Sequence, residues 1–225
     1  GNGTCNPATS SRTITFSPPP VVSAGAGGSV CANAPAISLV GSVSGAAGGI
    51  WSGGAGSYSP NSSTLTTTYT PTAAEIASGS VTLTLSSVGN GTCNPVSAQT
   101  TWTFTTAPTA NAGPDQVLCA NNAVASLAGG FTIGTGAIWS GGSGSFDPST
   151  TNMSATYTPT AAEISSGSVT LTFTTTGNGS CLAGADQVEL SFTPAPTANA
   201  GADASVCSNN ADIHLNGAVT VATGG

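Results

Sequence analysis

The stretch TYTPTAAEIASGSVTLTLS at residues 68–86 returns almost unchanged as TYTPTAAEISSGSVTLTFT at residues 156–174. The second copy begins 88 residues after the first (156 − 68 = 88). Self-similarity at a fixed interval is the signature of a repeat array. This interval is longer than the roughly 20–50 residues of a solenoid unit, and it matches a small independent domain.

Other landmarks keep the same interval without insertion or deletion, including Trp51 with Trp139 and the cysteines of successive copies. The chain opens on GNGTCNP, which recurs at residues 89–95 deep inside a copy. We therefore interpret the chain as an excerpt of a longer array. The expected divisions are the tail of one repeat (1–17), two whole repeats (18–105 and 106–193) and the head of another (194–225).

Residues 80–86 alternate between apolar and hydroxyl side chains. Alternation with a period of two predicts a strand with one buried face. Residues 99–105 alternate in the same way, with Trp102 and Phe104 on the inward side. We expect these two strands to form a long hairpin whose tip lies near residues 90–95.

Three more segments of the first whole repeat read as strands, at residues 36–44, 48–52 and 64–70. About seven short strands separated by glycine, proline and asparagine fit an antiparallel β-sandwich with immunoglobulin-like topology. The predicted fold class is all-β, with tandem immunoglobulin-like sandwiches in an elongated array.

The segment between two of these strands predicts a corner. Pro71 ends a strand because proline cannot donate to a ladder. Thr72 and Glu75 have the spacing of a capping box, which starts a helical turn, and Gly79 closes that turn. Tyr69 is a candidate corner tyrosine that bonds to nearby backbone.

The composition excludes several classes of function. Only 4% of the 225 residues are charged, and Arg12 is the one basic residue besides a single histidine. Binding to nucleic acid or to an anionic membrane requires basic side chains that this chain lacks. No apolar run reaches the roughly 18 residues of a membrane-spanning helix. We expect no nucleic-acid partner and no membrane insertion.

Each repeat carries two cysteines, such as Cys31 and Cys93. They are too widely spaced for the paired ligands of a structural zinc site or for a C-x-x-C redox motif. Disulfides formed in an oxidising compartment are therefore expected.

The strand order predicts how these cysteines pair. Cys31 and Cys93 fall at opposite ends of a sandwich, about 20 Å apart, whereas a disulfide needs Cα atoms within about 7 Å. We therefore favour the inter-domain bond Cys31–Cys181. The other four would pair with repeats outside the chain: Cys5, Cys93, Cys119 and Cys207. The alternative is a bond within each repeat, Cys31–Cys93 and Cys119–Cys181.

Few other residues suggest chemistry. His214 aligns with serines in the other copies, so no Ser/His/Asp or Cys/His set exists in a whole repeat. We expect no catalysis and no cofactor. Asp115 and Asp203, near the starts of their repeats, suit calcium ligands, but Gly27 takes their place in the first whole repeat, so we expect no metal site. The N-x-[ST] sequons at one hairpin-tip position are possible glycosylation sites: Asn2, Asn90 and Asn178.

Five motifs follow one another in the second whole repeat: ANAGPDQVLC (110–119), IWSGGSGSF (138–146), TYTPTAAEI (156–164), GSVTLTF (167–173) and GNGSC (177–181). This ordered set resembles the repeats of giant surface proteins of Bacteroidota, including gliding-motility-associated adhesins. The resemblance covers essentially the whole chain. It implies immunoglobulin-like domains related to PKD domains, and a cell-surface filament, adhesin or stalk.

The predicted function is mechanical: a disulfide-stiffened segment of an extracellular filament or adhesin stalk on the cell surface. Its partners would be neighbouring repeats of the same or identical chains. The alternative is a binding module in which exposed loops, such as residues 53–63, hold a glycan or another surface. Tests of isolated repeats against glycans would discriminate between the two.

Overall fold

The structure is a computed structural model that describes residues 3–6 and 8–221. Asn2, one of the three sequon positions, lies outside the described residues. The chain forms two compact units, Gly1–Thr106 and Ala107–Gly225.

The first unit holds nine strands and one short helix among the residues that the structure describes. They are β1 (Val21–Ser23), β2 (Gly28–Cys31), β3 (Ile37–Val40), β4 (Ser42–Ser44), β5 (Gly48–Ser52), β6 (Ser57–Ser59), β7 (Thr66–Thr70), α1 (Ala73–Ser78), β8 (Ser80–Val88) and β9 (Ser97–Thr105).

These strands form the two faces of a β-sandwich. One sheet has the order β2-β9-β8-β5, and the other has the order β3-β7-β6, with β1 paired to β4 beside it. All pairings are antiparallel except that of β2 with β9, which is parallel. Two facing sheets of short strands, with an edge strand that runs parallel to the last strand, are the immunoglobulin-like arrangement, so the prediction of all-β, immunoglobulin-like sandwiches is confirmed.

The alternation predicted for residues 80–86 is present in β8. Val81, Leu83 and Leu85 are buried, whereas Thr82 is exposed and hydrogen-bonds to Thr101 on β9 at 2.9 Å. The buried side chains join the core through the same period-two geometry that the sequence shows.

The core of the first unit is built around Trp51 and Tyr69, both at most 1% exposed. The Trp51 indole N–H donates to the Leu65 carbonyl at 3.1 Å, so the largest core side chain leaves no polar atom unpaired. Trp102 and Phe104 are half-buried and pack against the same core, as the alternation of residues 99–105 predicts.

Residues 36–44 do not form the single strand that the sequence predicts. They form β3 and β4, which pair with different strands, and Gly41 lies between them. A Cβ at Gly41 would lie 2.8 Å from Cζ2 of Trp51 and 2.5 Å from a methyl group of Leu85. The chain therefore presses its bare backbone onto the core here, and this close approach redirects the strand.

The second unit repeats the pattern. Its elements are β10 (Thr109–Asn111), β11 (Gln116–Cys119), β12 (Ala125–Ser126), β13 (Gly130–Thr132), β14 (Gly136–Ser140), β15 (Ser145–Asp147), β16 (Thr156–Thr158), α2 (Ala161–Ser166), β17 (Ser168–Thr176), β18 (Ala185–Thr193), β19 (Thr197–Asn199) and β20 (Ala218–Thr220). The sheet orders β11-β18-β17-β14 and β12-β16-β15 match those of the first unit. Strands β19 and β20 pair separately.

The two copies differ by compensating changes on the strand pair that runs parallel. In the first unit, Gly28 lies under the ring of Trp102, and a Cβ on this glycine would come within 2.8 Å of the ring. The corresponding residues of the second unit are Gln116 and Leu190. The smaller Leu190 is fully buried, and the Gln116 side chain donates to the Ser126 carbonyl at 2.9 Å.

Replacing Leu83 by alanine should lower the free energy of unfolding of the first repeat by about 2–5 kcal/mol, because a fully buried side chain leaves a cavity. Urea titration followed by tryptophan fluorescence measures this change. Thr82→Ala, on the exposed face of the same strand, is the matched control and should change stability by less than about 1 kcal/mol. Equal losses in the two variants would contradict the assigned faces of β8.

Candidate functional site

The first cysteine of a repeat lies at the same end of the sandwich as the last residue of its final strand. Cys31 ends β2 opposite Thr105 and is fully buried. Its Sγ atom lies 3.8 Å from the carbonyl oxygen of Thr106. The turn that follows is fixed by the Ala32 amide, which donates to Thr105, and by the Ala34 amide, which donates to Cys31. We call Cys31, its turn (32–34) and Thr106 the trailing end of the first repeat.

The second cysteine of a repeat lies at the opposite end, beside the segment that precedes the first strand. Cys93 is in the turn between β8 and β9, and its amide donates to the Asn90 carbonyl at 3.0 Å. Its thiol lies 3.7 Å from the carbonyl oxygen of Pro18 and 4.0 Å from that of Ser17. We call Ser17, Pro18 and the hairpin tip (89–93) the leading end of the first repeat.

The length of the hairpin keeps these two cysteines apart. Cys31 is level with Thr105 at one end of the nine-residue strand β9, and Cys93 precedes Ser97 at its other end. At about 3.3 Å per residue, the strand separates the two ends by roughly 26 Å. A disulfide within the repeat would need Cα atoms within about 7 Å, so this pairing is sterically excluded.

The second unit places its cysteines in the same way. Cys119 ends β11, and its thiol lies 3.9 Å from the carbonyl oxygen of Pro194. Cys181 is in the turn between β17 and β18, and its amide donates to the Asn178 carbonyl at 3.1 Å.

The six cysteines differ in redox state. Cys31 and Cys181 are disulfide-bonded. The other four are free thiols: Cys5, Cys93, Cys119 and Cys207.

The asparagines at the same hairpin-tip position of the two units each stabilise the tip through their side chains. The side-chain amide of Asn90 donates to the Ser87 carbonyl at 3.3 Å, and that of Asn178 donates to the Thr175 carbonyl at 3.0 Å. Both asparagines are only half-exposed, and their Oδ1 atoms are buried without a hydrogen bond. Each bond is donated by Nδ2, which is also the atom to which a glycan would attach, and glycosylation stays a prediction.

A carboxylate holds the corner between the two sheets, and the predicted capping box is confirmed. In the first unit, Glu75 Oε2 accepts from the Thr72 backbone at 2.8 Å and from its hydroxyl at 2.9 Å. Glu75 Oε1 accepts from the Tyr69 hydroxyl at 2.7 Å and from the Ala55 amide at 2.8 Å. The Gly56 amide donates to the Tyr69 hydroxyl at 2.8 Å, so Tyr69 is a corner tyrosine as predicted.

The second unit reproduces this corner with Glu163, Thr160, Tyr157 and Ser143. One carboxylate thus joins the helical turn, the end of a strand and a loop 20 residues away in both units. The invariance of TYTPTAAEI between the copies follows from this network and needs no catalytic role.

The corner sets the ionisation of its members. Burial raises the pKa of Glu75, but hydrogen bonds from the Thr72 backbone, the Tyr69 hydroxyl and the Ala55 backbone outweigh it and bring the pKa to about 2 from 4.5. Burial and the hydrogen bond to Glu75 raise the pKa of Tyr69 to about 12 from 10.0. Glu163 and Tyr157 are shifted in the same directions, with burial again the largest single influence.

The same corner restrains the loop at residues 53–63, which is the candidate ligand loop of the alternative function. The amides of Ala55 and Gly56 are occupied by Glu75 and Tyr69, and the Tyr58 hydroxyl donates to the Gly53 carbonyl at 2.9 Å. Several of the polar groups that a ligand would contact are therefore already hydrogen-bonded, either within the loop or to the corner.

Two aspartates of the second repeat, one near its start and one on its last strand, accept hydrogen bonds from backbone amides. Asp115 accepts from the Glu189 amide, and Asp186 accepts from the Ala112 amide, both at 2.8 Å. Across the described residues, no three metal-binding side chains form a cluster. His214 is exposed but lies outside any strand.

No family model matches the sequence, and no characterised protein matches it significantly. Solved structures of tandem domains are similar at low identity. Protocadherin gamma B2 extracellular cadherin domains 3–6 match at 13% identity and TM-score 0.34, covering 80% of this chain and 49% of that one. The titin I-band fragment I67–I69 matches at 12% identity and TM-score 0.38, covering 80% of this chain and 68% of that one. Sidekick-1 immunoglobulin domains 1–4 match at 14% identity and TM-score 0.35, covering 78% of this chain and 49% of that one.

Similarity at this level does not extend to function, and the chain spans about half the length of two of these three structures. Within the described residues, no helix is long and apolar enough to cross a membrane.

Replacing Glu75 by glutamine should destabilise the first repeat by about 1–3 kcal/mol, because the amide cannot accept all four hydrogen bonds and its NH₂ group faces donors. Urea titration measures the loss. Glu189→Gln, at an exposed glutamate of the second repeat, is the control for the loss of one carboxylate charge from the chain. A Glu75→Gln variant as stable as the control would contradict the role of the carboxylate.

The corner also predicts a pH window of stability. Because Glu75 and Glu163 have folded pKa values near 2, below the ordinary 4.5, their contribution is full above pH 4.5 and is lost as the pH falls towards 2. Because Tyr69 and Tyr157 have pKa values raised from 10.0 to about 12, their contribution is full below pH 10 and is lost as the pH rises towards 12.

Unfolding free energies measured across this range check the prediction. The double variant Glu75→Gln/Glu163→Gln should lose most of the acid-side decline, because it removes the groups that titrate. An acid limb as steep in the double variant as in the parent would contradict the assignment.

Proposed function

We propose that this chain is a structural segment of an extracellular filament or adhesin stalk, and that it has no catalytic activity. Its motifs resemble those of the gliding-motility-associated surface proteins of Bacteroidota, and we place it with that type of protein. Its working units are the repeats 18–105 and 106–193, flanked by parts of further repeats at 1–17 and 194–225. Its partners are neighbouring repeats on the cell surface.

The observation that carries this proposal is the placement of the cysteines at opposite ends of a repeat, where they cannot bond within it. In the proposal, Cys31 bonds to Cys181 and fastens the first repeat to the second. The bonded state of both residues supports this pairing.

Equivalence between the copies supports the same pairing. Cys93 lies against Pro18, and a shift of one repeat carries these positions to Cys181 and Thr106. Thr106, the counterpart of Pro18, is the residue that Cys31 contacts. The equivalence between the copies therefore favours Cys181 as the partner of Cys31.

The composition suits such a role. A single arginine and no lysine leave a trypsin-like protease one cleavage site in 225 residues. Polar but uncharged threonine and serine cover the exposed faces, for instance Thr82 and Thr101. A covalent fastening between small sandwiches limits their relative motion, which is the property that a stalk requires.

The double variant Cys31→Ser/Cys181→Ser should broaden the distribution of distances between the two repeats, because the bond that limits their motion is gone. Small-angle X-ray scattering of the oxidised parent and the variant measures this change. Cys93→Ser/Cys119→Ser, which removes two free thiols, is the matched control and should leave the scattering of the monomer unchanged. Identical scattering from all three proteins would contradict the proposal.

The same bond should stabilise the parent by about 2–4 kcal/mol relative to the Cys31→Ser/Cys181→Ser variant, since it closes a long loop. Urea titration with and without reductant gives this difference.

A further inference from the structure

The ends of the two units are complementary. The leading end of the first repeat carries the free thiol Cys93, and Cys119 carries a free thiol beside Pro194 in the second repeat. Cys119 with its turn (120–122) and Pro194 forms the trailing end of the second repeat. One end of each kind is therefore available on every copy of the chain.

A groove marks the leading end of the first repeat. It has a volume of about 600 Å³, and its walls are small and uncharged. Its lining includes Ser17, Pro18, Gly45, Asn90, Thr92 and Cys93. Because the thiol of Cys93 is part of this lining, whatever occupies the groove comes within reach of a nucleophilic sulfur.

The trailing end of the second repeat presents a preformed turn of small, uncharged residues. The Ala120 amide donates to the Thr193 carbonyl at 2.9 Å, and the Asn122 amide donates to the Cys119 carbonyl at 2.8 Å. Cys119 is partly exposed at the start of this turn, whereas Cys31, its counterpart one repeat earlier, is fully buried. A short, uncharged and fixed turn suits a groove of small, uncharged residues.

The chain contains the bonded form of both positions. Cys119 corresponds to Cys31 and Cys93 corresponds to Cys181, and those two counterparts are disulfide-bonded. The backbone at each position is therefore compatible with a disulfide. Cys93 and Cys119 differ from their counterparts in having a free thiol.

We propose that copies of this chain join head to tail. The trailing end of the second repeat of one copy enters the groove at the leading end of the first repeat of another copy, and Cys119 bonds to Cys93. This inference rests on the proposed function, because it extends the Cys31–Cys181 pairing to a second copy. A contact between two different surfaces can be repeated from one copy to the next, and it gives an open chain of copies where the rotation between successive copies does not close a ring.

The bond forms by thiol–disulfide exchange with a small-molecule disulfide such as oxidised glutathione. The thiolate of Cys93 attacks one sulfur of that disulfide, which gives a mixed disulfide and releases one small thiolate. The thiolate of Cys119 from the second copy then attacks the Cys93 sulfur and releases the other. Two protein thiols lose two protons and two electrons, and one small disulfide becomes two thiols.

The test uses the whole chain with Cys5→Ser and Cys207→Ser, so that Cys93 and Cys119 are its only free thiols. Incubation with oxidised glutathione should give a ladder of covalent oligomers on a non-reducing gel. The half-time should lengthen about tenfold on tenfold dilution, because the second exchange step is bimolecular. Adding Cys93→Ser or Cys119→Ser should abolish the ladder. A mixture of these two variants should give a dimer and nothing larger, since each supplies one reactive end.

Circular dichroism of each variant checks that it is folded.

Cleavage after Glu75 and Glu163 should release residues 76–163 linked to a second copy of themselves. A ladder that survives Cys93→Ser, a bond between Cys93 and Cys119 of one chain, or folded protein that stays monomeric would overturn the proposal. If the monomer still contains Cys31–Cys181, the proposed function stands and only the joining of copies fails. If that bond is missing, the proposed function itself fails.

Discussion

The rigid length of the hairpin β8–β9 constrains everything else that the cysteines can do. Nine residues of strand hold Cys31 level with Thr105 at one end and leave Cys93 beyond Ser97 at the other. No side-chain rotation spans that distance, so each cysteine can find a partner only outside its own repeat. The hairpin thus places one cysteine at each end of a sandwich, where it can bond to another repeat. The second unit has the same arrangement with Cys119 and Cys181.

A partly buried carboxylate with four hydrogen bonds stabilises the corner of this sandwich, which has few charged residues elsewhere. Glu75 uses both carboxylate oxygens to accept four hydrogen bonds, which come from a helical turn, a strand and a loop. Charge-assisted hydrogen bonds are the strong ones, and this corner concentrates them where the chain passes between the two sheets. The corner therefore fixes the ends of β7 and β8, and β8 in turn carries the hairpin that separates the cysteines.

Local signals in the sequence predicted a large part of this structure. The alternation in residues 80–86 and 99–105 predicted β8, β9 and their buried faces, and the spacing of Thr72 and Glu75 predicted the capped turn. Together with the strand order of an immunoglobulin-like sandwich, the predicted strands placed Cys31 and Cys93 at opposite ends. Each of these features depends on residues close together in the chain, which is why periodicity and spacing reveal them.

Features that depend on distant contacts were missed. The break at Gly41 arises because Trp51 and Leu85 leave no space for a side chain, and neither lies nearby in the sequence. The parallel pairing of β2 with β9 was missed because β2 is only four residues long, GSVC, and is too short to show an alternation of apolar and polar side chains. The reach of Glu75 to Ala55 crosses 20 residues, so the capping box predicted only half of what this carboxylate does.

The most direct test of the account is a map of the disulfides in the intact oxidised chain. After free thiols are blocked and the protein is denatured, cleavage after Arg12 and after the three glutamates separates Cys5, Cys31, Cys181 and Cys207 into different peptides. The account predicts one cross-linked pair, residues 13–75 joined to residues 164–189, in mass spectrometry without reductant. Residues 13–75 joined to residues 76–163 would instead show that Cys31 bonds to Cys93 or Cys119, and would contradict the central claim.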